Sequence, residues 1–246
     1  MNAADAITTG YSNTAIGYNA MGAMTTGGDN VAIGDGCFAT ANSASATQCT
    51  FIGRGCAGAA VANTGNTAMG YNAYSSGTGG INNTSIGRQA GDVITTGGNN
   101  LSIGYLADPS GATASNEVTL GNSSISSIRC QVQTISSLSD ARDKQNIEEL
   151  PLGVEFINTL RPVKFDWAMR DGANKGVQEV GFLAQELDKA QQDADAEEYM
   201  RLVLKSNPDK LESTYGKLVP ILTKAVQELS AEVEDLKKKA HDKCSN

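Results

Sequence analysis

One short pattern of polar and aliphatic positions recurs along the first half of the chain. It reads NTAIG ending at Gly17, NVAIG at Gly34, CTFIG at Gly53, NTAMG at Gly70, NTSIG at Gly87, NLSIG at Gly104 and a weaker NEVTLG at Gly121. The glycines stand 17, 19, 17, 17, 17 and 17 residues apart. A fixed period of this length marks a stacked repeat in which one period is one structural unit. Seventeen residues are too few for a helix pair, and the spacers are rich in Gly, Asn and Thr, so each unit is predicted to be a coil of short strands and turns. Residues alternate within each motif, as in Ala15 between Thr14 and Ile16, and the aliphatic residues at 16, 33, 52, 69, 86 and 103 are expected to form one interior column. Ala20, Ala73, Ala90 and Ala107 each follow a repeat glycine by three positions. The motif asparagines read as a hydrogen-bond ladder between coils, with sugar contact as the other reading. Tyr11, Tyr18, Tyr71, Tyr74 and Tyr105 read as packing at a subunit seam, with stacking on sugars as the alternative.

The pattern changes after Gly121. Residues 122–138 alternate through Ile125, Ile128, Cys130, Val132 and Ile135, as an extended linker or strand does. Ile147, Leu150, Val154, Ile157 and Leu160 then recur at helical spacing, predicting one amphipathic helix with Pro151 near its start and Pro162 beyond its end. Val163–Ala168 alternates as a strand, Asp171-Gly172 marks a turn, and Val177–Leu183 supplies a returning strand. Gln185 and Glu186 fall in a short helix, as a chaperone contact or a solvated face. Residues 188–198 are acidic and read as an exposed turn or frayed helix, and 202–204 as a short strand. Val219, Leu222, Val226, Leu229, Val233 and Leu236 alternate steps of three and four, the seam of a coiled coil whose Val and Leu core positions would by themselves favour two strands. The fold class is therefore a mainly β shaft, a β-roll or β-helix over residues 1–121, an extended linker over 122–138, and an α+β domain with a C-terminal coiled-coil helix over 139–246.

Composition sharpens this division. Residues 1–138 hold 22 of the 27 glycines and nine charges, whereas the remaining 108 residues hold 37 charges. The net charge of -8 includes no basic run, which argues against nucleic acid as a partner. No apolar stretch approaches the ~18 residues of a membrane span, and the first residues lack the pattern of a signal peptide. Cys37, Cys49, Cys56, Cys130 and Cys244 are odd in number and irregularly spaced. With His241 the only histidine, in a tail expected to fray, they read as reduced buried residues rather than a disulfide frame or zinc site. Neither cofactor nor metal is expected. A 17-residue coil of alanine and one isoleucine buries too little apolar surface to stand alone, so side-by-side association of several chains is expected.

Leu138-Ser139-Asp140-Ala141-Arg142-Asp143-Lys144-Gln145-Asn146-Ile147 opens the charged half. This stretch resembles the start of the C-terminal intramolecular chaperone of endosialidases and related phage tailspikes, Ser-Asp-x-Arg-x-Lys-x-x-Ile. Every fixed position matches: Ser139, Asp140, Arg142, Lys144 and Ile147. Pro162, Phe165 and Trp167 followed by Gly181-Phe182-Leu183-Ala184-Gln185-Glu186 form a second block. Tyr215, Leu218 and Pro220 before the terminal helix form a third. The repeats resemble those in the heads of trimeric autotransporter adhesins.

The chaperone resemblance implies a homotrimeric tail fibre or tailspike on a virion, assembled in the host cytoplasm and joined to upstream fibre domains. It further implies a self-cleaving serine endopeptidase that cuts once, between Leu138 and Ser139, in cis or across the trimer. Ser139 would be nucleophile and Lys144 its base, with Asp140 and Arg142 in support. A serine, an aspartate and a lysine at this spacing also suit an ordinary turn or helix cap. The alternative function is a non-cleaving structural or receptor-binding fibre tip with a permanent trimerisation cap. A host-surface glycan or receptor is left open as a further partner. A glycan-degrading activity finds no close acid pair in residues 1–138.

Overall fold

The computed structural model describes residues 2–40, 46–59, 63–131, 135–170, 172 and 174–244, without the side chain of Cys244. Val132 of the alternating linker and Asp171 of the expected turn lie outside the described residues. Two compact units, Met1–Ser127 and Ile128–Asn246, make up the chain.

In the first unit each repeat motif forms a three-residue strand: β1 Thr14–Ile16, β2 Val31–Ile33, β3 Thr50–Ile52, β4 Thr67–Met69, β5 Thr84–Ile86, β6 Leu101–Ile103 and β7 Val118–Leu120. They pair in parallel and in sequence order, so each coil lies on the next with like residues opposed, as in Ala15 with Ala32 and Ile16 with Ile33. A second parallel ladder of single bridges runs Tyr11, Gly28, Thr47, Thr64. The unit is a β-solenoid. Its corners recur in left-handed backbone. Five residues before each repeat glycine stand Ser12, Asp29, Gln48, Gly65, Asn82, Asn99 and Asn116, all with φ between +52° and +68°. Asn, Asp and Gly tolerate that conformation best, which accounts for the composition of the spacers.

The expected interior column is reversed. Ile16, Met69, Ile86 and Ile103 are exposed and Ile33 and Ile52 half-buried, while the middle residues Ala32, Phe51, Ala68, Ser85 and Ser102 are buried. The aliphatic residue faces outward because the middle strand position of the 17-residue coils takes only a small residue, Ala, Ser or Thr, the rest of the interior being filled by Met21, Met24, Tyr74 and Ile94. The larger Phe51 ends the 19-residue interval, in the coil that also carries Phe38, and the two rings meet edge to face at 4.9 Å. Tyr74 also departs from the seam reading: it is fully buried, stacked on Phe51 at 6.4 Å. Cys37, Cys49 and Cys56 are buried as expected, but Cys130 is exposed.

A ladder of side-chain amides joins the coils. Asn66 Oδ1 accepts the Asn83 N–H at 2.7 Å, Asn83 Oδ1 accepts the Asn100 N–H at 3.0 Å, and Asn100 Oδ1 accepts the Glu117 N–H at 3.0 Å. Each amide nitrogen donates onward, that of Asn83 to Gly97 O at 2.9 Å and to Tyr74 Oη at 3.3 Å. Asn83 is buried, so Asn83→Ala strands the Asn100 N–H and the Gly97 carbonyl away from water and should cost about 2 kcal/mol or more. A shift in the urea midpoint of the full chain measures this. Surface Asn99→Gly, which suits the left-handed corner and loses only an exposed bond to Asn116, should change the midpoint far less.

The second unit has its core in Leu152, Phe156, Leu187, Ala196, Met200, Leu202, Val203, Leu218 and Ile221. Helix α1, Val154–Thr159, packs on α4, Leu218–Cys244. A hairpin pairs β8 Val163–Asp166 with β9 Gln178–Gly181, and β10 Val203–Leu204 pairs with β11 Glu212–Ser213. Helices α2, Ala184–Asp193, and α3, Glu197–Met200, lie between β9 and β10 in sequence.

Two expectations are corrected here. Ile147 to Gly153 is not helical and Ile147 is exposed; the residue before Pro151 is steered from helix, and α1 starts only after Gly153. Its first N–H donates to Glu228 Oε2 of α4 at 2.8 Å, a cap that local sequence does not reveal. Residues 188–198 take the helical alternative over most of their length, but are ordered into α2 and α3 and partly buried rather than exposed or frayed. Gln191 is inside, accepting the Leu202 N–H at 2.9 Å, and Asp188 pairs with Lys205 at 2.7 Å.

Candidate functional site

The residues around Ser139 form a compact local turn. Ala141–Asp143 is a single 3₁₀ turn capped by Asp140, whose Oδ1 accepts the Arg142 N–H at 2.9 Å. Arg142 folds back so that Nε lies 3.0 Å from Oδ1 and Nη2 lies 2.6 Å from Oδ2 of the same carboxylate. The Arg142 guanidinium holds the Asp140 carboxyl below the usual carboxylate range and is itself raised by it. One helical turn thus reverses the chain, and Lys144 returns toward the residue before the cap. Lys144 Nζ donates to Ser139 Oγ at 2.6 Å and lies 3.4 Å from Ser139 O.

The turn and the Ser139–Lys144 contact therefore coexist, with the Asp140–Arg142 clasp between the two residues in sequence. Every residue from Ile135 to Glu149 is exposed in the single chain, with Leu138 at 99% and Ile135 at 100%. No regular strand forms over 122–131 or 135–138.

The remaining motif residues meet elsewhere in the second unit. Tyr215 Oη accepts the Phe182 N–H at 3.1 Å, and the two rings lie edge to face at 5.5 Å. Phe165 and Trp167 are also edge to face, at 5.1 Å, and Trp167 Nε1 donates to Glu179 at 2.6 Å. These aromatics line an open cavity of about 900 Å³ together with Met169 and Leu183. Glu186 does not stand free on its helix: it forms an ion pair with Arg161, which holds its carboxyl below the usual range. The Arg161 partner lies 25 residues away, beyond any helical spacing rule.

Three blocks separated in sequence thus build one small domain behind an exposed serine and lysine. Residues 139–196 match the family model of the chaperone of endosialidase. The match begins at Ser139 and ends as α3 approaches, and it supports an intramolecular chaperone domain of a tail fibre in this part of the chain. The name of the family also suggests a self-cleaving peptidase. No curated protein and no solved structure matches the chain. Among the described residues, no helix is long and apolar enough to cross a membrane.

Within the second unit, α4 carries two apolar stripes. Leu218, Ile221 and Ala225 are buried in the domain core. Val219, Leu222, Val226, Leu229, Val233 and Leu236 face solvent.

Proposed function

We propose that the chain is the distal part of a homotrimeric tail fibre or tailspike carried on a virion. Its last domain aligns three shafts and then releases itself by cutting between Leu138 and Ser139. The observation that carries the reading is the 2.6 Å approach of Lys144 Nζ to Ser139 Oγ at the first residue of the matched segment. A serine hydroxyl attacks a carbonyl only when a base takes its proton, and a lysine in its neutral form can do so.

In the economical route, Ser139 Oγ attacks the carbonyl carbon of Leu138 and its proton passes to Lys144 Nζ. The Leu138–Ser139 C–N bond breaks, the proton moves to the departing Ser139 nitrogen, and the Leu138 acyl group is left as an ester on Oγ. Water then hydrolyses the ester, giving a Leu138 carboxylate and restoring the hydroxyl. The Asp140–Arg142 clasp holds the turn that sets this approach.

Exposure of the dyad in the single chain fits a cut that waits for assembly. Burial or a neighbouring cation favours a neutral amine, and a second chain closing over the junction would supply one of these. Timing matters because three repetitive shafts can pair one coil out of step at little energetic cost. A domain that sets the register first, and is lost afterwards, leaves a product that cannot readily unwind and start again.

Expression of the full chain with Ser139→Ala and with Lys144→Ala tests the reading. Each variant should give one uncut 25.6 kDa chain, while the parent gives fragments of about 138 and 108 residues. A fragment beginning at Ser139 from the Lys144→Ala variant would overturn the dyad. A parent that stays whole as a trimer would favour the fibre tip with a permanent cap.

A further inference from the structure

Residues 1–121 contain two positive charges, Arg54 and Arg88, and both occupy the same place in their coils, directly after the repeat glycine. The strands before them are in register through Ile52, Met69, Ile86 and Ile103, so the residues after the glycines stack as one column. From coil to coil that column reads Asp35, Arg54, Tyr71, Arg88, Tyr105. The Arg54 guanidinium lies 5.9 Å from the Tyr71 ring centre, and Arg88 lies 6.0 Å from Tyr71 and 5.2 Å from Tyr105. Despite these contacts the column faces solvent: Tyr71 is 44% and Tyr105 50% exposed, and the Arg54 side chain is 70% exposed.

We propose that this cation–aromatic column is a binding stripe for a linear acidic polysaccharide with one carboxylate per disaccharide. Coils of a parallel ladder are spaced by about 4.8 Å, so the two arginines stand about 9.6 Å apart with a tyrosine after each. An extended sugar chain whose carboxylate recurs every second residue presents charges at the same order of spacing, with an uncharged ring between them. Each guanidinium lying over a ring keeps a donor edge for a carboxylate, and each tyrosine offers a face to the C–H side of a sugar. Asp35 already illustrates the contact: its Oδ2 lies 3.6 Å from Arg54 Nε. Arg88, held between two rings, forms no ion pair among the described residues.

Spacing also discriminates against nucleic acid. A nucleic-acid strand carries a charge on every nucleotide, roughly every 3.4 Å along each strand of a duplex, far denser than these two cations can neutralise.

The full chain is titrated with hyaluronan oligosaccharides, with uncharged dextran oligomers and with oligo(dT), in low and raised salt. Hyaluronan is expected to bind, to weaken as salt rises, and to lose about tenfold or more in affinity with Arg88→Ala or Tyr105→Ala. Binding by the Arg54→Ala/Arg88→Ala double variant should fall below detection. These side chains are exposed, so the variants should keep the parent's melting curve and fragment pattern, which separates this result from failure of folding or of self-cleavage. No hyaluronan binding, equal binding of dextran, stronger binding of oligo(dT), or full binding by the double variant would each overturn the stripe.

Discussion

Gly70→Ala is expected to unwind the middle of the solenoid, lowering its stability by about 3 kcal/mol or more. Two effects add at this position. Gly70 has φ +141°, a region that side chains rarely enter. A Cβ built there would also overlap the carbonyl of Gly87 in the next coil, standing 2.6 Å from its carbon. That neighbour is backbone held by the ladder on both sides, so it cannot turn away as a side chain could. The Gly70 N–H donates to Ile52 O at 2.8 Å, and the Gly87 N–H donates to Met69 O at 2.8 Å. Any shift that relieves the overlap therefore stretches two coil-to-coil bonds. Thermal melting of the full chain followed by far-UV circular dichroism reads the effect. Gly111→Ala is the control, because its Cβ meets nothing within 4 Å and its backbone lies outside the left-handed region. A Gly70→Ala chain that melts with the parent would mean that the coils are less tightly stacked than their register requires.

The period of the shaft was legible because the same backbone problem is solved the same way in every coil. Left-handed corners call for Asn, Asp or Gly, and a carbonyl stacked directly over the next coil calls for Gly after the strand. The phase of the strands was not legible. Alternation says which residues share a face but not which face is inside, and the larger aliphatic residue does not mark the inner one. Coil width decides it, and width is a property of the closed turn rather than of the strand. Phe51 gave the missing clue: a bulky residue at the middle position coincides with the one lengthened interval.

Local and distant interactions divide the second unit in the same way. The turn after Ser139 and the hairpin rest on neighbours in sequence, and the local pattern predicts a turn or cap and a returning strand there, though not the Asp140–Arg142 clasp. Helix α1 is shorter than its periodicity because Pro151 and Gly153 stand inside the pattern, and its cap comes from Glu228, 74 residues away. The burial of Gln191 likewise depends on the N–H of Leu202. Neither could be read from a window of the chain.

Charging the solvent-facing stripe of α4 should separate assembly from chemistry. Val219, Leu222, Val226, Leu229, Val233 and Leu236 are all between 45% and 65% exposed, on a helix whose other stripe is already used in the domain core. Full burial of each against copies of itself would contribute about 1.5 kcal/mol or more before the costs of association. Leu222→Glu with Leu229→Glu removes two of these contributions and would place unpaired carboxylates in the seam, each costing several kcal/mol. The double variant should sediment as a monomer where the parent sediments as a trimer, yet keep the domain core, because Leu218, Ile221 and Ala225 are untouched. Its behaviour at the junction then distinguishes two routes to the same fragment. If Ser139 and Lys144 need a second chain to exclude water, the monomer stays uncut although both residues remain, while Ser139→Ala stays uncut as a trimer. A monomer that still cuts at Leu138 would show that the dyad acts within one chain, and that register and release are separate functions of the same domain.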